Sequence, residues 1–325
     1  MLDIKYIRDN VEVVKKAIVD KRINLNLDEL LVLDERRRTL LAETETLQAT
    51  KNTVSKEIPK LSEEDKKVKI LEMQEIDLRQ TELKGLLKVV EHDYENLLLL
   101  VPNVPAPETP IGLDSSGNVP WAYWGPIVGH VDPKDEAKVA EVPTKFDFAI
   151  KDHITLGQEL DLIDTERGVN TSGFRGYYLK NEAVMLQQGL LMFALEKLRG
   201  RGFTVMSTPT LVKEFALIGS GHFPAGRDEI YRIANSEQSE NEDDNTKESL
   251  YLGGTSEPAL LAYYADQILE EKDLPITVSG VSTCYRSEIG SYGKDTRGIY
   301  RIHEFAKVEQ MVICKADLIE SEKWL

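Results

Sequence analysis

The sequence predicts an α+β chain in which a long antiparallel helical hairpin precedes a mixed body of strands and helices. Three observations predict it. Apolar residues recur on a seven-residue period through most of residues 28–100. A stretch rich in Pro and Gly then breaks the pattern at 101–126. Beyond it, short β-branched runs alternate with amphipathic segments of helical period.

The hairpin comes first. Leu33, Leu40, Leu47 and Val54 recur every seven residues, while the interleaved Arg37, Thr44, Lys51 and Ile58 are mostly polar. In the following segment Met73, Ile76, Gln80, Leu83, Leu87, Val90, Tyr94 and Leu97 alternate three- and four-residue spacings. That is a heptad seam, suited to two helices packed side by side. Pro59 ends the first helix, and Ser62-Glu-Glu-Asp65 caps the second. So short a turn makes the pair antiparallel, and at about 1.5 Å per residue each helix reaches roughly 45–55 Å. The predicted division is 1–103 for an N-terminal part carrying the arm at 28–100, 104–130 for an extended linker, and 131–325 for the body.

In the body, residues 182–199 form a helix with a broad apolar face, stopped by Gly200-Arg-Gly202. Phe203 to Met206 reads as a short strand closed by Pro209, and the segments at 277–285 and 306–314 read as strands. Residues 236–249 are acidic and aperiodic, which reads as a surface loop, and a further helix begins near Ala316.

Composition excludes several classes. No apolar run approaches the roughly 18–20 residues of a membrane span, and the charged start Met1-Leu-Asp-Ile-Lys is no signal peptide. Cys284 and Cys314 make neither a disulfide framework nor a zinc spacing, and the five histidines are scattered. A reducing cytoplasm follows as the expected compartment. A net charge of −16 argues against a general nucleic-acid coat. The charge is uneven, at −3 over residues 1–100 and −13 over 101–325, so contact with RNA is expected locally and on the N-terminal part.

Four segments carry candidate chemistry. Thr255-Ser-Glu257 follows the strand-like Leu250-Tyr-Leu252; in an extended segment a hydroxyl and a carboxylate two residues apart share a side and suit a small polar amine. Arg286-Ser-Glu288 follows a strand and pairs a guanidinium for phosphate with a carboxylate for ring or ribose donors. The stretch 297–310 carries Arg297, Arg301, Glu304, Lys307 and Glu309 with the aromatic Phe305. The Gly-rich segment 289–293 lies between the last two. Taken singly, Phe305 also reads as a core aromatic, Arg286 and Glu288 as a surface ion pair, and His303 and His153 as hydrogen-bonded structural residues.

Order and spacing add to this. The run from Gly280 to Gln310, GVSTCYRSEIGSYGKDTRGIYRIHEFAKVEQ, resembles motif 2 of the seryl-tRNA synthetases. Upstream, Thr255-Ser-Glu-Pro258 resembles that family's serine-binding Thr-x-Glu, and Thr208-Pro-Thr-Leu211 resembles motif 1, with its proline at a dimer interface. The hairpin, Asn103-Val-Pro105 and the segment 173–179 (GFRGYYL) match the family in the same order.

The resemblance implies a class II synthetase antiparallel sheet with flanking helices, plus an N-terminal antiparallel coiled-coil arm. It implies ATP-dependent activation of L-serine to seryl-adenylate and transfer to the 3′ end of tRNA(Ser), with tRNA(Sec) a second candidate, by a homodimer using ATP and Mg2+. Arg286 and Glu288 are then the catalytic residues. Arg286, Ser287, Glu288, Ile302 and Phe305 bind ATP, with Phe305 stacked on adenine. Thr255, Ser256, Glu257, Arg286 and Glu309 bind serine. Arg36, Arg37, Arg38, Lys51 and Lys56, with Lys60, are the cations offered to tRNA, and no protein metal ligand is implied. Glu304 stands where the family has glutamine and Ser256 where it has alanine. Motif 3 is expected beyond residue 325, so residues 1–325 by themselves are expected to be inactive. A non-catalytic paralogue would lack Arg286, Glu288 or Glu257, and a relative that loads a carrier protein would lack the arm; all are present.

Overall fold

The computed structural model describes residues 2–58, 62–120, 122–125, 129–131, 148–234, 249–289 and 297–324. Pro59, Lys60, most of the acidic segment 236–249 and positions 290–293 of the Gly-rich segment lie outside these. The chain divides into two compact units, Met1–Ile111 and Gly112–Leu325.

The first unit begins with two short helices that periodicity alone had not marked, α1 (Ile4–Asp9) and α2 (Val11–Asp20). Asp3 caps α1 by accepting from the Lys5 and Tyr6 amides. The long helices follow as α3 (Leu27–Glu57) and α4 (Glu63–Leu98). Ser62 caps α4 as its sequence promises: its hydroxyl accepts from the Asp65 amide and donates to the Asp65 carboxylate at 2.6 Å.

The seam packs as the heptads require. Leu40, Val54, Gln80, Leu83, Val90 and Tyr94 are buried, and Leu33, Leu47 and Leu87 pack against the Leu40–Leu83–Val90 cluster. Cross-helix polar pairs fix direction and register. Arg37 meets Glu91 at 3.2 Å, Glu43 meets Arg79 at 2.8 Å, Gln48 accepts from Gln80 at 3.2 Å, and Lys51 meets Asp77. From Arg37–Glu91 near the base to Lys51–Asp77 farther along, the α4 partner number falls by 14 as the α3 number rises by 14, so the helices are antiparallel. The base of the hairpin is a separate core in which Ile7, Val14 and Ile18 pack on Leu27, Leu30, Tyr94 and Val101. Asp34 is buried beside it and accepts from Arg8 at 3.3 Å and Arg38 at 3.2 Å.

The second unit is built on the three-stranded order β5-β8-β9, with β5 at Thr204–Ser207, β8 at Ile276–Tyr285 and β9 at Glu304–Ile313. β8 and β9 form an antiparallel ladder over their full length, from Ile276 opposite Ile313 to Tyr285 opposite Glu304. β5 joins β8 in parallel on the other side of this antiparallel ladder. The long connection between them supplies the crossover that a parallel pair needs. That connection holds β6 (Leu211–Lys213), helix Glu214–Gly219, β7 (Leu250–Leu252) and helix Glu257–Tyr263. β6 and β7 pair antiparallel over a small core of Val212, Ala216, Leu217, Phe223 and Tyr251.

Ahead of the sheet come β1 (Tyr123–Gly125) paired with β2 (Gly129–Val131), α5 (His153–Glu159), β3 (Ile163–Asp164), α6 (Thr165–Ser172) and β4 (Tyr178–Leu179), with β3 antiparallel to β4. Helix α7 (Glu182–Gly200) packs on β5, β8 and β9. In chain order the helices after it are α8 (Glu214–Gly219), α9 (Glu257–Tyr263) and α10 (Leu318–Glu322). Alternation along β9 gives the sheet two faces. Ala306 and Val308 face an apolar cavity of about 970 Å3 shared with Leu186 and Leu190 of α7. Phe305, Lys307 and Glu309 face the other way, opposite Cys284, Ser282 and Gly280 of β8.

Candidate active site

The polar face of the β8–β9 ladder gathers three segments that are distant in sequence. β9 supplies Phe305, Lys307 and Glu309 at a spacing of two, which puts all three on one side. The turn before α9 supplies Thr255 and Ser256. It seats closely on β8 because Gly280 has no side chain: a Cβ there would lie 2.8 Å from Ser256 Cβ and 3.0 Å from Thr208 Cγ2. The exit of β8 supplies Arg286.

Thr255 Oγ1 donates to Glu309 Oε2 at 2.6 Å, and Lys307 Nζ donates to Thr255 Oγ1 at 3.0 Å and lies 2.5 Å from Glu309 Oε2. Burial alone would push the Glu309 carboxyl up, but the Lys307 and Thr255 hydrogen bonds outweigh it and hold the group below its ordinary value. Ser256 Oγ is 2.8 Å from Ser282 Oγ, which pins the turn to the strand. Cys284, opposite Phe305 on this face, is wholly buried, and burial pushes its thiol up.

Arg286 donates from Nε to the Gly254 carbonyl at 3.3 Å, and its guanidinium lies over the Phe305 ring at 5.3 Å. Its backbone is tied to His303: the Arg286 amide donates to the His303 carbonyl at 2.9 Å, and His303 Nδ1 lies 2.9 Å from the Arg286 carbonyl. His303 is thus the hydrogen-bonded structural residue read from the sequence. So is His153, whose Nε2 accepts from the Ile299 amide at 3.1 Å.

Two local expectations are corrected. Thr255 and Glu257 do not share an extended segment. Ser256 is already helical at φ −74° and ψ −14°, and Glu257 is the first residue of α9, because Pro258 suits the opening turn of a helix. Glu257 is half-buried there. Arg286 and Glu288 do not alternate as on a strand either. Glu288 takes a left-handed φ of 54°, and its carboxylate pairs with Arg301. Ser287 ties the same loop down, donating from its hydroxyl to the Asp228 carbonyl at 3.0 Å and from its amide to the Glu229 carbonyl at 3.0 Å. Ile302 is buried just before β9.

The structure therefore joins Thr255, Ser256, Arg286, Phe305 and Glu309, and adds Lys307, Ser282 and Gly280, which the sequence reading had not assigned. The signal for Lys307 was present, since it lies midway in the alternation Phe305, Lys307, Glu309. Among the described residues no three His, Cys, Asp or Glu side chains converge as a metal site would require, and no helix is long and apolar enough to cross a membrane.

On the arm, three of the cations offered to RNA already have acidic partners: Arg37 with Glu91, Arg38 with Asp34 and Glu35, and Lys51 with Asp77. Arg36 and Lys56 are exposed.

Residues 1–105 match the seryl-tRNA synthetase N-terminal domain, and residues 237–323 match the tRNA synthetase class II core domain (G, H, P, S and T). The serine–tRNA ligase of Deinococcus radiodurans is 37% identical over 324 residues, covering 100% of this chain and 70% of that protein. The crystal structure of seryl-tRNA synthetase from Pyrococcus horikoshii complexed with ATP superposes with a TM-score of 0.74 at 35% identity, covering 96% of this chain and 69% of that one. The cytoplasmic serine–tRNA ligase of Naegleria fowleri in complex with AMP gives a TM-score of 0.74 at 25% identity, covering 100% of this chain and 69% of that one. With a relative this similar along the whole chain, and with family matches at both ends, the chain belongs to the seryl-tRNA synthetases, the serine–tRNA ligases of class II.

Proposed function

We propose that residues 1–325 supply serine and nucleotide contacts of an enzyme that activates L-serine with ATP to seryl-adenylate and transfers the seryl group to the 3′ end of tRNA(Ser). The observation that carries the reading is the Thr255–Glu309 contact, in which a hydroxyl and an ionised carboxylate from separate segments converge beside Arg286 and Phe305. Thr255 and Glu309 take the substrate's ammonium group, with Glu257 as a further acceptor at the start of α9. Arg286 takes the α-phosphate and the serine carboxylate, steadying charge as the carboxylate oxygen attacks phosphorus and pyrophosphate leaves. Phe305 offers a ring to adenine, and Ser287, Glu288 and Ile302 shape the nucleotide side. In the second step a ribose hydroxyl of the tRNA end attacks the seryl carbonyl and AMP leaves. Positioning and charge stabilisation suffice for both steps, with no covalent enzyme intermediate.

ATP complexes in the family support the nucleotide. Magnesium fits as a companion of the phosphates, since that ion commonly binds through substrate phosphates and a few carboxylates and needs no protein cage. Bound there, it would neutralise charge on the departing pyrophosphate.

The arm, proposed within a 1–103 domain ahead of the 104–130 linker and the 131–325 body, grips tRNA by backbone and shape, with tRNA(Sec) a second candidate. A homodimer is supported by the exposed apolar surface of α7, where Met185 is 71% and Phe193 59% exposed. The cytoplasm, where tRNA, serine and ATP meet, is the proposed compartment.

ATP–pyrophosphate exchange with each amino acid in turn tests the reading. Exchange that depends on serine supports it; exchange indifferent to serine overturns it. Sedimentation analysis tests the dimer, and a monomer at micromolar concentration would refute it.

A further inference from the structure

Lys307 has no role in the reaction outlined above, yet its ammonium group stands on Thr255 and Glu309, two of the acceptors assigned to the substrate's amine. Nζ lies 2.5 Å from Glu309 Oε2 and 3.0 Å from Thr255 Oγ1. Thr255 Oγ1 in turn donates to that same Glu309 oxygen at 2.6 Å. The three groups form a closed triangle around the place where a small primary amine would bind. We propose that Lys307 is a positioning residue, an internal cation that fills the amine subsite in the resting protein and that the incoming ammonium group displaces. The proposal rests on the reading of Thr255 and Glu309 as amine acceptors and adds a competitor for them.

The arrangement follows from the strand. Lys307 and Glu309 are two residues apart on β9, so their side chains share a face whatever the neighbouring loops do. The Lys307 side chain is 32% exposed and that of Glu309 23% exposed, so the ammonium group has a path to water and a ligand has a path to the carboxylate. A lysine head is a compact, well-hydrated point charge on a flexible stem, suited to leaving one partner for solvent.

Apart from Glu257 at the start of α9, the neighbouring polar groups give a second ammonium little else to hold. The Ser256 hydroxyl is engaged with Ser282 at 2.8 Å, and the Gly254 carbonyl accepts from Arg286 at 3.3 Å. Two like charges on one carboxylate oxygen repel each other, so lysine and substrate amine compete for Glu309 Oε2. While it stays, Lys307 keeps Glu309 ionised and aligned with Thr255, and a ligand without an amine cannot move it. The consequence is discrimination by displacement: amines exchange with Lys307, whereas acids and alcohols that lack one leave it in place.

The test is solution NMR of the full 325-residue chain with 13C at lysine Cε, the Lys307 signal being assigned by its loss in Lys307→Met. L-serine and ethanolamine are expected to move that signal with the same concentration dependence as other perturbed resonances. Glycerate, which has the hydroxyl and carboxylate but no amine, is expected to leave it in place. By calorimetry Lys307→Met, which keeps the stem and removes the charge, is expected to bind serine about fivefold more tightly, the scale of one partly exposed ion pair, with glycerate unaffected. Serine that perturbs other resonances but not Lys307 overturns the inference and leaves the amine site standing. A Met variant that folds but binds serine no better than wild type does the same. If neither serine nor ethanolamine moves any signal, both readings fall. Should the Met variant not fold, the signal is assigned in Lys307→Arg and the wild-type titration decides.

Discussion

Thr255 and Glu309 meet at 2.6 Å although 54 residues separate them in the chain. The contact exists because Gly280, opposite Glu309 on β8, leaves room for the Thr255–Ser256 turn to lie against the strand.

Gly280→Ala tests that dependence. The added Cβ would sit 2.8 Å from Ser256 Cβ and 3.0 Å from Thr208 Cγ2, closer than ordinary contacts allow. Overpacking of this kind costs about 1–3 kcal/mol. Denaturant unfolding should show that loss, and serine should bind more weakly because the turn carrying Thr255 is lifted. Wild-type stability in the variant would mean that the turn yields without strain.

Arg286→Ala should remove about 2–3 kcal/mol of transition-state stabilisation, or roughly a hundredfold in serine-dependent pyrophosphate exchange by a chain with that activity. Arg286→Lys keeps the charge but loses the fork that faces Gly254 and the plane that lies over Phe305, so it should recover only part of the rate. Exchange near the wild-type rate in Arg286→Ala would exclude Arg286 from the chemistry.

Acid should expose the Glu309 pairing. Its carboxyl is held below the ordinary value in the folded chain, burial being outweighed by the Lys307 and Thr255 hydrogen bonds. A depressed folded pKa stabilises the fold fully above the unfolded carboxylate value of about 4.3. That contribution is lost as pH falls through the lower folded value. Melting temperature measured from pH 6 to pH 2 should therefore fall more steeply in wild type than in Glu309→Gln. Parallel curves would show that the pairing contributes nothing to stability.

Shortening the arm separates tRNA recognition from amino-acid activation. The cut belongs above the buried Asp34, which holds Arg8 and Arg38, and above the Arg37–Glu91 pair. Joining Thr39 to Val90 through a short linker keeps those contacts and the basal core of Ile7, Leu30 and Tyr94. Serine activation should persist. Aminoacylation should fall sharply, with a flatter dependence on salt as phosphate contacts disappear. Equal charging by the shortened protein would make the arm a spacer.

The arm was legible in the sequence nearly residue by residue. A heptad is a local code, and the face it marks at Leu40, Leu83 and Val90 is the face the partner helix covers. Strands β8 and β9 were legible for a similar reason, since β-branched runs favour extension wherever they pair. The helices at Ile4–Asp9 and Val11–Asp20 were missed because both are short and are held by packing on the base of the hairpin. The site shows the same division. The resemblance named Thr255, Arg286, Phe305 and Glu309, but residue spacing placed Thr255 and Glu257 on one extended face, where a helix in fact begins at Glu257.

By itself the sequence determined the periodic elements and the residue types available to the chemistry, because helical and strand periods are properties of neighbouring residues. Only the tertiary structure decided which charges remain available to a ligand. Arg37 and Lys51 count as free cations in the sequence, yet each meets a carboxylate on the opposing helix, at Glu91 and Asp77. Lys307 is one charge among several in the stretch 297–310 until the Thr255 turn folds onto β8 and brings a second acceptor to its head. Pairing of this kind depends on loop closure and strand order, and no local pattern encodes either.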